Sequence, residues 1–266
     1  NLLKRRQKMN LLSMYFFEED DILFEINSIY NMDCLEGMRL IDDKSIDLIV
    51  TDPPYKVTAR GNAGNSGGMM QKKLSMKGKI FEYNDIKPID YIPEFYRVLK
   101  DSSHCYIMTN HVNLQEILNT ATNCGFKFIK SLIWNKGNKI MGQYYMSQFE
   151  YILFFRKGKG KKINNCGTSD ILDIPNKKLK DEKGNNLHDT EKPVELMKIL
   201  VENSSQEKEI VLDPFIGIGT TAIACINTNR NYIGFELNKE YYEIAKNRIN
   251  KHILDNNLQG KYSLIT

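Results

Sequence analysis

The apolar run at residues 46–50, Ile-Asp-Leu-Ile-Val, stops against Thr51-Asp52-Pro53-Pro54-Tyr55, and this junction constrains the fold more than any other stretch. A short β-branched run closed by two prolines reads as a buried strand that empties into a rigid loop. Asp52, both prolines and Tyr55 then sit at the strand's carboxyl end, the edge where open α/β sheets bind ligands. Each proline fixes its own φ, and Pro54 also holds Pro53 extended, so the loop keeps nearly one shape before any ligand arrives. Such a loop offers a carboxylate acceptor, a backbone carbonyl and a flat ring to one planar substrate. The same residues also suit a plain loop with a capping Asp and a core Tyr, so the rest of the chain must decide.

A chain of 266 residues, 41% hydrophobic and 26% charged, belongs to the soluble globular class and is long enough for one large α/β domain or two small ones. No apolar run approaches the roughly 18 residues of a membrane span, which predicts no membrane association. The basic start at residues 1–8 is followed by Asn10, Ser13 and an acidic cluster rather than a signal-peptide core, which predicts a cytoplasmic protein. The chain begins without Met, so Met9 or Met14 is a candidate natural start. Cys34, Cys105, Cys124, Cys166 and Cys225 are scattered and the four histidines isolated, so neither a disulfide framework nor a metal site is expected. The net charge of +4 matters less than its arrangement. Residues 56–79 carry six basic side chains and no acid among several glycines, and residues 156–162 are another basic run. Two such segments fit a polyanion such as nucleic acid, although lysine-rich loops are often simply solvated.

Taken in order, strands are expected at residues 24–30, 46–50, 104–108, 126–134, 149–155, 209–212 and 232–235. Helices are expected from Asp33 and at 89–99, 114–123, 193–202, 220–226 and 239–253. This alternation predicts an α/β fold with a mostly parallel sheet wrapped by helices. Residues 1–26 read as an N-terminal extension. Residues 27–155 form one half of the domain, with a mobile loop at 56–84, and 188–266 form the other. Between them, 156–187 is rich in Lys, Asn and Gly, with an apolar island at 171–174, and reads as a short insertion.

The second half carries Asp213-Pro214-Phe215-Ile216-Gly217-Ile218-Gly219-Thr220-Thr221, a strand, a glycine turn and a helix start, with Glu236 at the end of the next strand. The glycines allow close backbone approach, and a carboxylate at Glu236 suits a ribose diol. Both features indicate an adenosine-containing ligand, and Gly217-x-Gly219-x-x-Ala222 also satisfies the dinucleotide fingerprint. Against a nicotinamide enzyme stand three observations. The fingerprint falls in the last quarter of the chain, Asp213 precedes the glycines where a pyrophosphate would be repelled but a methionine amino group welcomed, and the Asp52 loop has no part in hydride transfer.

With these motifs assembled, the chain resembles the β class of S-adenosylmethionine-dependent DNA amino-methyltransferases from about residue 29 onward. Asp33-Cys34-Leu35 resembles the family's adenine-contacting segment and Asp52-Pro53-Pro54-Tyr55 its catalytic motif. His188-Asp189-Thr190-Glu191-Lys192-Pro193 is similar to the segment usually written His-Pro-Thr-Gln-Lys-Pro, Asp213 to Thr221 to the cofactor loop, and Phe235-Glu236-Leu237 to the ribose-binding strand end. Departures are Asp189, Glu191, and Phe149 where relatives often carry His before Glu150.

The resemblance implies a Rossmann-like, doubly wound, mostly parallel seven-stranded sheet with circularly permuted motifs. It implies methyl transfer to adenine N6 in double-stranded DNA, with cytosine N4 the alternative; Asp at the first motif position favours adenine. A nicotinamide oxidoreductase or a non-catalytic nucleic-acid-binding module are more distant alternatives. Catalysis is assigned to Asp52, Pro53, Pro54 and Tyr55, with Tyr55 stacking on a flipped-out base. Cofactor binding is assigned to Asp33, Cys34, Thr190, Lys192, Asp213, Phe215, Gly217, Gly219, Thr220, Thr221 and Glu236, with Lys192 meeting the methionine carboxylate and S-adenosylhomocysteine as product. Residues 156–187 and the loop after Tyr55 would recognise the target. A bacterial or phage origin, a partner restriction endonuclease and a monomer or homodimer complete the expectation.

Overall fold

A computed structural model describes residues 24–54, 86–140, 144–176 and 191–266. Among them the chain forms β1 (Ser28–Tyr30), α1 (Cys34–Leu40), β2 (Ile46–Thr51), α2 (Pro88–Val98), β3 (Leu99–Thr109), α3 (Leu114–Asn123), β4 (Lys127–Ile140) and β5 (Ser147–Arg156). There follow β6 (Ile171–Asp173), α4 (Val194–Ser204), β7 (Ile210–Asp213), α5 (Thr220–Asn227), β8 (Asn231–Phe235) and α6 (Lys239–Asp255). The expected N-terminal extension up to residue 23, the loop at 56–84, and residues 177–187 lie outside the described residues.

One eight-stranded sheet runs in the order β1-β8-β7-β2-β3-β5-β4-β6. Every pairing is parallel except the two made by β5, which is antiparallel to both β3 and β4. This is the expected doubly wound α/β architecture with one strand more than the seven expected. The addition is β6, the apolar island of the supposed insertion, which extends the sheet beside β4. β1 is shorter than expected because Asn27 takes a left-handed φ of 64° and breaks the extended run.

Sequence explains why β2 lies at the centre. Ile46, Leu48, Ile49, Val50 and Thr51 are all buried, as a strand covered on both faces requires. Each such aliphatic side chain contributes about 1.5–3 kcal/mol on burial. Leu48 and Val50 join Tyr106, Ile152, Leu196, Met197, Ala222 and Ile249 in a core under α4, α5 and α6. On the opposite face Ile49, Cys105, Leu153 and Leu212 pack with Met38, Phe95 and Ile117 beneath α1, α2 and α3. Helices begin where side chains satisfy free backbone N–H groups. Asp33 Oδ1 accepts from Leu35 and Glu36 at α1, and Asn238 Oδ1 from Glu240 and Tyr241 at α6. No helix among the described residues is long and apolar enough to cross a membrane.

Because β5 runs against its neighbours, its Arg156 pairs with His104 of β3 and with Lys127, the first residue of β4. The basic run at 156–162 therefore lies at the edge of the sheet opposite Asp52. Lys157 is buried there and donates to the carbonyls of Tyr96 and Leu99, closing the end of α2. Within this run Lys157 has a structural role, while Lys159, Lys161 and Lys162 are exposed. Asn164 is likewise tied to Glu202, Asn203 and Ser205.

Candidate active site

The carboxyl ends of β1, β8, β7 and β2 lie side by side, and the sequence-predicted residues collect along them. Asp52 follows β2 directly, with Pro53 buried and Pro54 half-buried behind it. Its Oδ2 accepts from Lys192 Nζ, which also lies 3.5 Å from Glu150 Oε2. Glu150 Oε1 in turn accepts from Lys136 Nζ. Two cations and two carboxylates thus alternate in the order Lys136, Glu150, Lys192, Asp52, with side-chain exposures of 12%, 14%, 5% and 18%. Trp134 forms one wall. Its Nε1 donates to the Ile174 carbonyl at 2.8 Å, and the ammonium groups of Lys136 and Lys192 lie 5.3 and 6.0 Å from its ring centre.

Antiparallel register places Trp134 opposite Glu150, and Lys136, two residues on, shares the face of Trp134. Among the described residues, Asp52 Oδ1 and Glu150 Oε2 are buried without a hydrogen-bond partner. A buried acceptor left without a donor costs about 1–3 kcal/mol. Burial pushes the Asp52 carboxyl above the ordinary range, with Lys192 opposing the rise and Glu150 adding to it. Burial acts on Glu150 in the same sense, but Lys192 and Lys136 on its two sides hold it below the ordinary range.

The second strand end is joined to the first. Thr51 Oγ1 donates to Asp213 Oδ1 at 2.7 Å, Thr221 Oγ1 to Oδ2 at 2.5 Å, and the Phe215 N–H to Oδ1 at 3.1 Å. Burial raises Asp213 to about 6 against these three donors, and the Asp52 charge adds to the rise. The glycine turn follows. Gly219 has φ +82°, and a Cβ there would come 3.0 Å from Ile249 Cδ1, so only glycine passes without strain. Arg248 of α6 clamps this turn, donating to the Ile218 carbonyl at 3.1 Å and Thr220 Oγ1 at 3.0 Å while pairing with Glu191 at 2.9 Å. Phe215 packs edge-on against Tyr91.

At the third position, Glu236 Oε2 accepts from the Gly217 N–H at 3.0 Å and Oε1 from Asn238 N–H at 2.8 Å. Burial nevertheless raises Glu236 to about 7. The Glu236 N–H bonds the Tyr30 carbonyl, which brings Asp33 and Cys34 alongside through the end of β1. Asp33 is occupied as the α1 cap, and burial pushes the Cys34 thiol up to about 12, so it carries no thiolate chemistry.

Of the predicted site residues, Tyr55 and Thr190 lie outside the described residues, as do His188 and Asp189. The others gather at one edge. Lys192 meets Asp52 and, at 3.5 Å, Glu150 at this edge. Lys136, Glu150, Trp134, Thr51 and Arg248 were not picked out as site residues from sequence. For Lys136 and Trp134 the alternation of a strand was the available signal. The edge carries Asp33, Asp52, Asp213 and Glu236, and the Gly217 N–H is already spent on Glu236. That donor set suits a ligand with a cationic centre and hydroxyl groups and opposes the pyrophosphate of a nicotinamide dinucleotide.

Comparison with known proteins agrees with this geometry. A family model described as DNA methylase, of the N6/N4 type, matches residues 46–247. The chain is 30% identical over 256 residues to the type II methyltransferase M2.MboI of Moraxella bovis, covering 88% of this chain and 90% of that protein. It is 29% identical over 247 residues to the type II methyltransferase M.HinfI of Haemophilus influenzae, covering 84% and 68%. The solved M1.HpyAVI–SAM complex superposes with a TM-score of 0.59 at 25% identity, over 83% of this chain and 98% of that one.

Proposed function

Since the chain belongs to the N6/N4 DNA methylase family, we propose that it transfers a methyl group from S-adenosylmethionine to the N6 amino group of adenine in double-stranded DNA. The observation that carries this reading is the buried Oδ1 of Asp52, without a hydrogen bond among the described residues, beside the Thr51 to Asp213 bond. An acceptor is thus set aside at the catalytic strand end, next to the strand that leads into the glycine turn. Asp at the head of the Asp52-Pro53-Pro54-Tyr55 motif resembles the adenine-type members. On this reading residues 27–155 are the catalytic half and 188–266 the cofactor half of one domain, and the protein acts on the same DNA site as a partner endonuclease.

The residues present fit S-adenosylmethionine. Glu236 suits the ribose hydroxyls, Asp213 lies toward the methionine end with the backbone of Gly217 and Gly219, and the segment of Asp33 and Cys34 suits the adenine. When bound, this cofactor supplies an electrophilic methyl group, and the carbon–sulfur electron pair returns to sulfur as the new carbon–nitrogen bond forms. Asp52 Oδ1 and the Pro53 carbonyl accept the two N–H hydrogens of the target amino group. Its lone pair, otherwise delocalised into the ring, is thereby turned toward the methyl carbon. Positive charge develops on that nitrogen, and the Asp52 carboxylate stabilises it and takes the proton that leaves the methylated amine. The base must leave the duplex to reach this depth, and Tyr55 stacks on its face.

Incubation of the purified chain with duplex DNA and tritiated S-adenosylmethionine, followed by nucleoside chromatography, tests the proposal. Label in N6-methyldeoxyadenosine is the expected result. Label in N4-methyldeoxycytidine would assign the other member of the family, and no label in DNA would overturn the reading.

A further inference from the structure

The alternating charges beside Asp52 have no part in the function as derived so far. Lys192 precedes α4, Lys136 stands on β4 and Glu150 on β5, so three separate elements build one chain of charges that ends on Asp52. Lys136 is nearly out of water and is spent on Glu150, and Lys192 meets both acids. Burying four ionised side chains is costly, and a purely structural role at this place would be met as well by apolar residues of similar volume. Lys192 holds one oxygen of Asp52 and stands 3.5 Å from Glu150 Oε2, and among the described residues the other Asp52 oxygen has no hydrogen bond.

We propose that Lys136, Glu150 and Lys192 are positioning residues for the transfer. Lys192 holds Asp52 Oδ2 and keeps the carboxylate ionised, while Glu150, itself tethered by Lys136, restrains Lys192 from closing over Oδ1. The inference rests on the methyl-transfer reading above and assigns Lys192 to the catalytic carboxylate rather than to the cofactor. Glu150 balances the array: without it, Lys192 and Lys136 would face Asp52 with one uncompensated positive charge. Without Lys136, Glu150 would compete for Lys192 and draw it from Asp52. Among the described residues, the groups that bear on Asp52 include Lys192, Glu150, Lys136, Asp213 at the end of β7 and Tyr91 of α2. The first three form the chain of contacts.

The test is the pH dependence of single-turnover methyl transfer to duplex DNA, measured with S-adenosylhomocysteine affinity and a thermal melt for each variant. Glu150→Gln removes a negative neighbour of Asp52, so the acid limb of the rate profile moves down by about one pH unit. Lys136→Met and Lys192→Met move it up, the latter by about 1–3 units, as loss of an adjacent opposite charge requires. S-adenosylhomocysteine affinity stays within about threefold of wild type throughout. Opposite shifts from Glu150→Gln and Lys136→Met support the proposal even where Lys192→Met fails to fold. Coincident acid limbs for these variants, or lost S-adenosylhomocysteine binding by Lys192→Met with an unmoved limb, would overturn it. Wild-type protein that transfers no methyl group would overturn the transfer reading and this inference with it.

Discussion

Thr51 closes β2 and Asp213 closes β7, and the hydroxyl of the first donates to Oδ1 of the second at 2.7 Å. The two residues are 162 positions apart in sequence, so this bond ties the strand that leads into Asp52 to the strand that enters the glycine turn. Thr51→Val keeps the shape and removes the donor from a buried carboxylate. A hydrogen bond to a charged group contributes about 1.5–3 kcal/mol, and that loss is expected as a lower urea midpoint with an unchanged slope. S-adenosylhomocysteine affinity falls with it, because Thr221 and the Phe215 N–H are then left to hold Asp213.

Asp52→Asn separates binding from chemistry. The amide retains an acceptor oxygen but no charge to meet the positive nitrogen, and the ammonium of Lys192 keeps Glu150 but loses the Asp52 anion. Loss of one such electrostatic contact typically costs about 100–1,000-fold in rate, and a fall of that size in single-turnover transfer is expected. S-adenosylhomocysteine affinity, measured calorimetrically, changes little. An equal loss of affinity and rate would place Asp52 in cofactor binding instead.

These two residues also show what the sequence discloses. Asp52, Asp213 and Glu236 were legible because each stands where an apolar run ends, and strand ends of a parallel sheet share an edge. Lys136 and Glu150 were not. Only the antiparallel pairing of β4 with β5 brings them together, and nothing local to either residue records which strand runs backwards. The same hidden direction sets the place of the basic run at 156–162, which the reversal of β5 carries to the far edge. β6 escaped because three residues at a sheet edge carry too short an alternation to read, and β4 runs past its expected end at Trp134 because its continuation is polar.

On the proposed reading, Glu236 makes cofactor binding pH-dependent. Its pKa of about 7 in the ligand-free protein exceeds the ordinary value of 4.5, so the native state takes up a proton between those limits. Ribose hydroxyls donate to the ionised form, so binding is expected to release a proton below about pH 7. Affinity should weaken up to about tenfold per unit as pH falls further, and level off above it. Asp213, raised to about 6, steepens the lower part of the curve. Calorimetric titration with S-adenosylhomocysteine in buffers of different ionisation enthalpy counts the protons. Glu236→Gln should bind more weakly at pH 8 and lose the dependence near pH 7.

His104 sets an opposing dependence in the stability of the fold. It is fully buried on β3, with Nε2 facing the Lys161 carbonyl at 3.1 Å and Nδ1 facing Ser204 Oγ at 2.8 Å, and Ser204 Oγ also meets the Tyr106 hydroxyl at 2.7 Å. A carbonyl only accepts, so Nε2 carries the proton, Nδ1 accepts from Ser204, and Ser204 accepts from Tyr106. Burial lowers the pKa to about 4 from the ordinary 6.5. The unfolded chain therefore binds a proton that the folded one refuses, and this contribution, complete above about pH 6.5, is lost as pH falls toward 4. Asp213 and Glu236 act in the opposite sense: their raised values make the native state gain stability as pH falls from about 7 toward the ordinary carboxylate range. The His104 effect is therefore isolated by difference. His104→Gln is expected to be less stable than wild type at pH 7 by about 1–3 kcal/mol, the cost of disturbing buried hydrogen bonds. The gap should narrow steadily between pH 6.5 and 4 in urea unfolding. A gap that stayed constant over that range would mean that His104 is protonated in the folded protein.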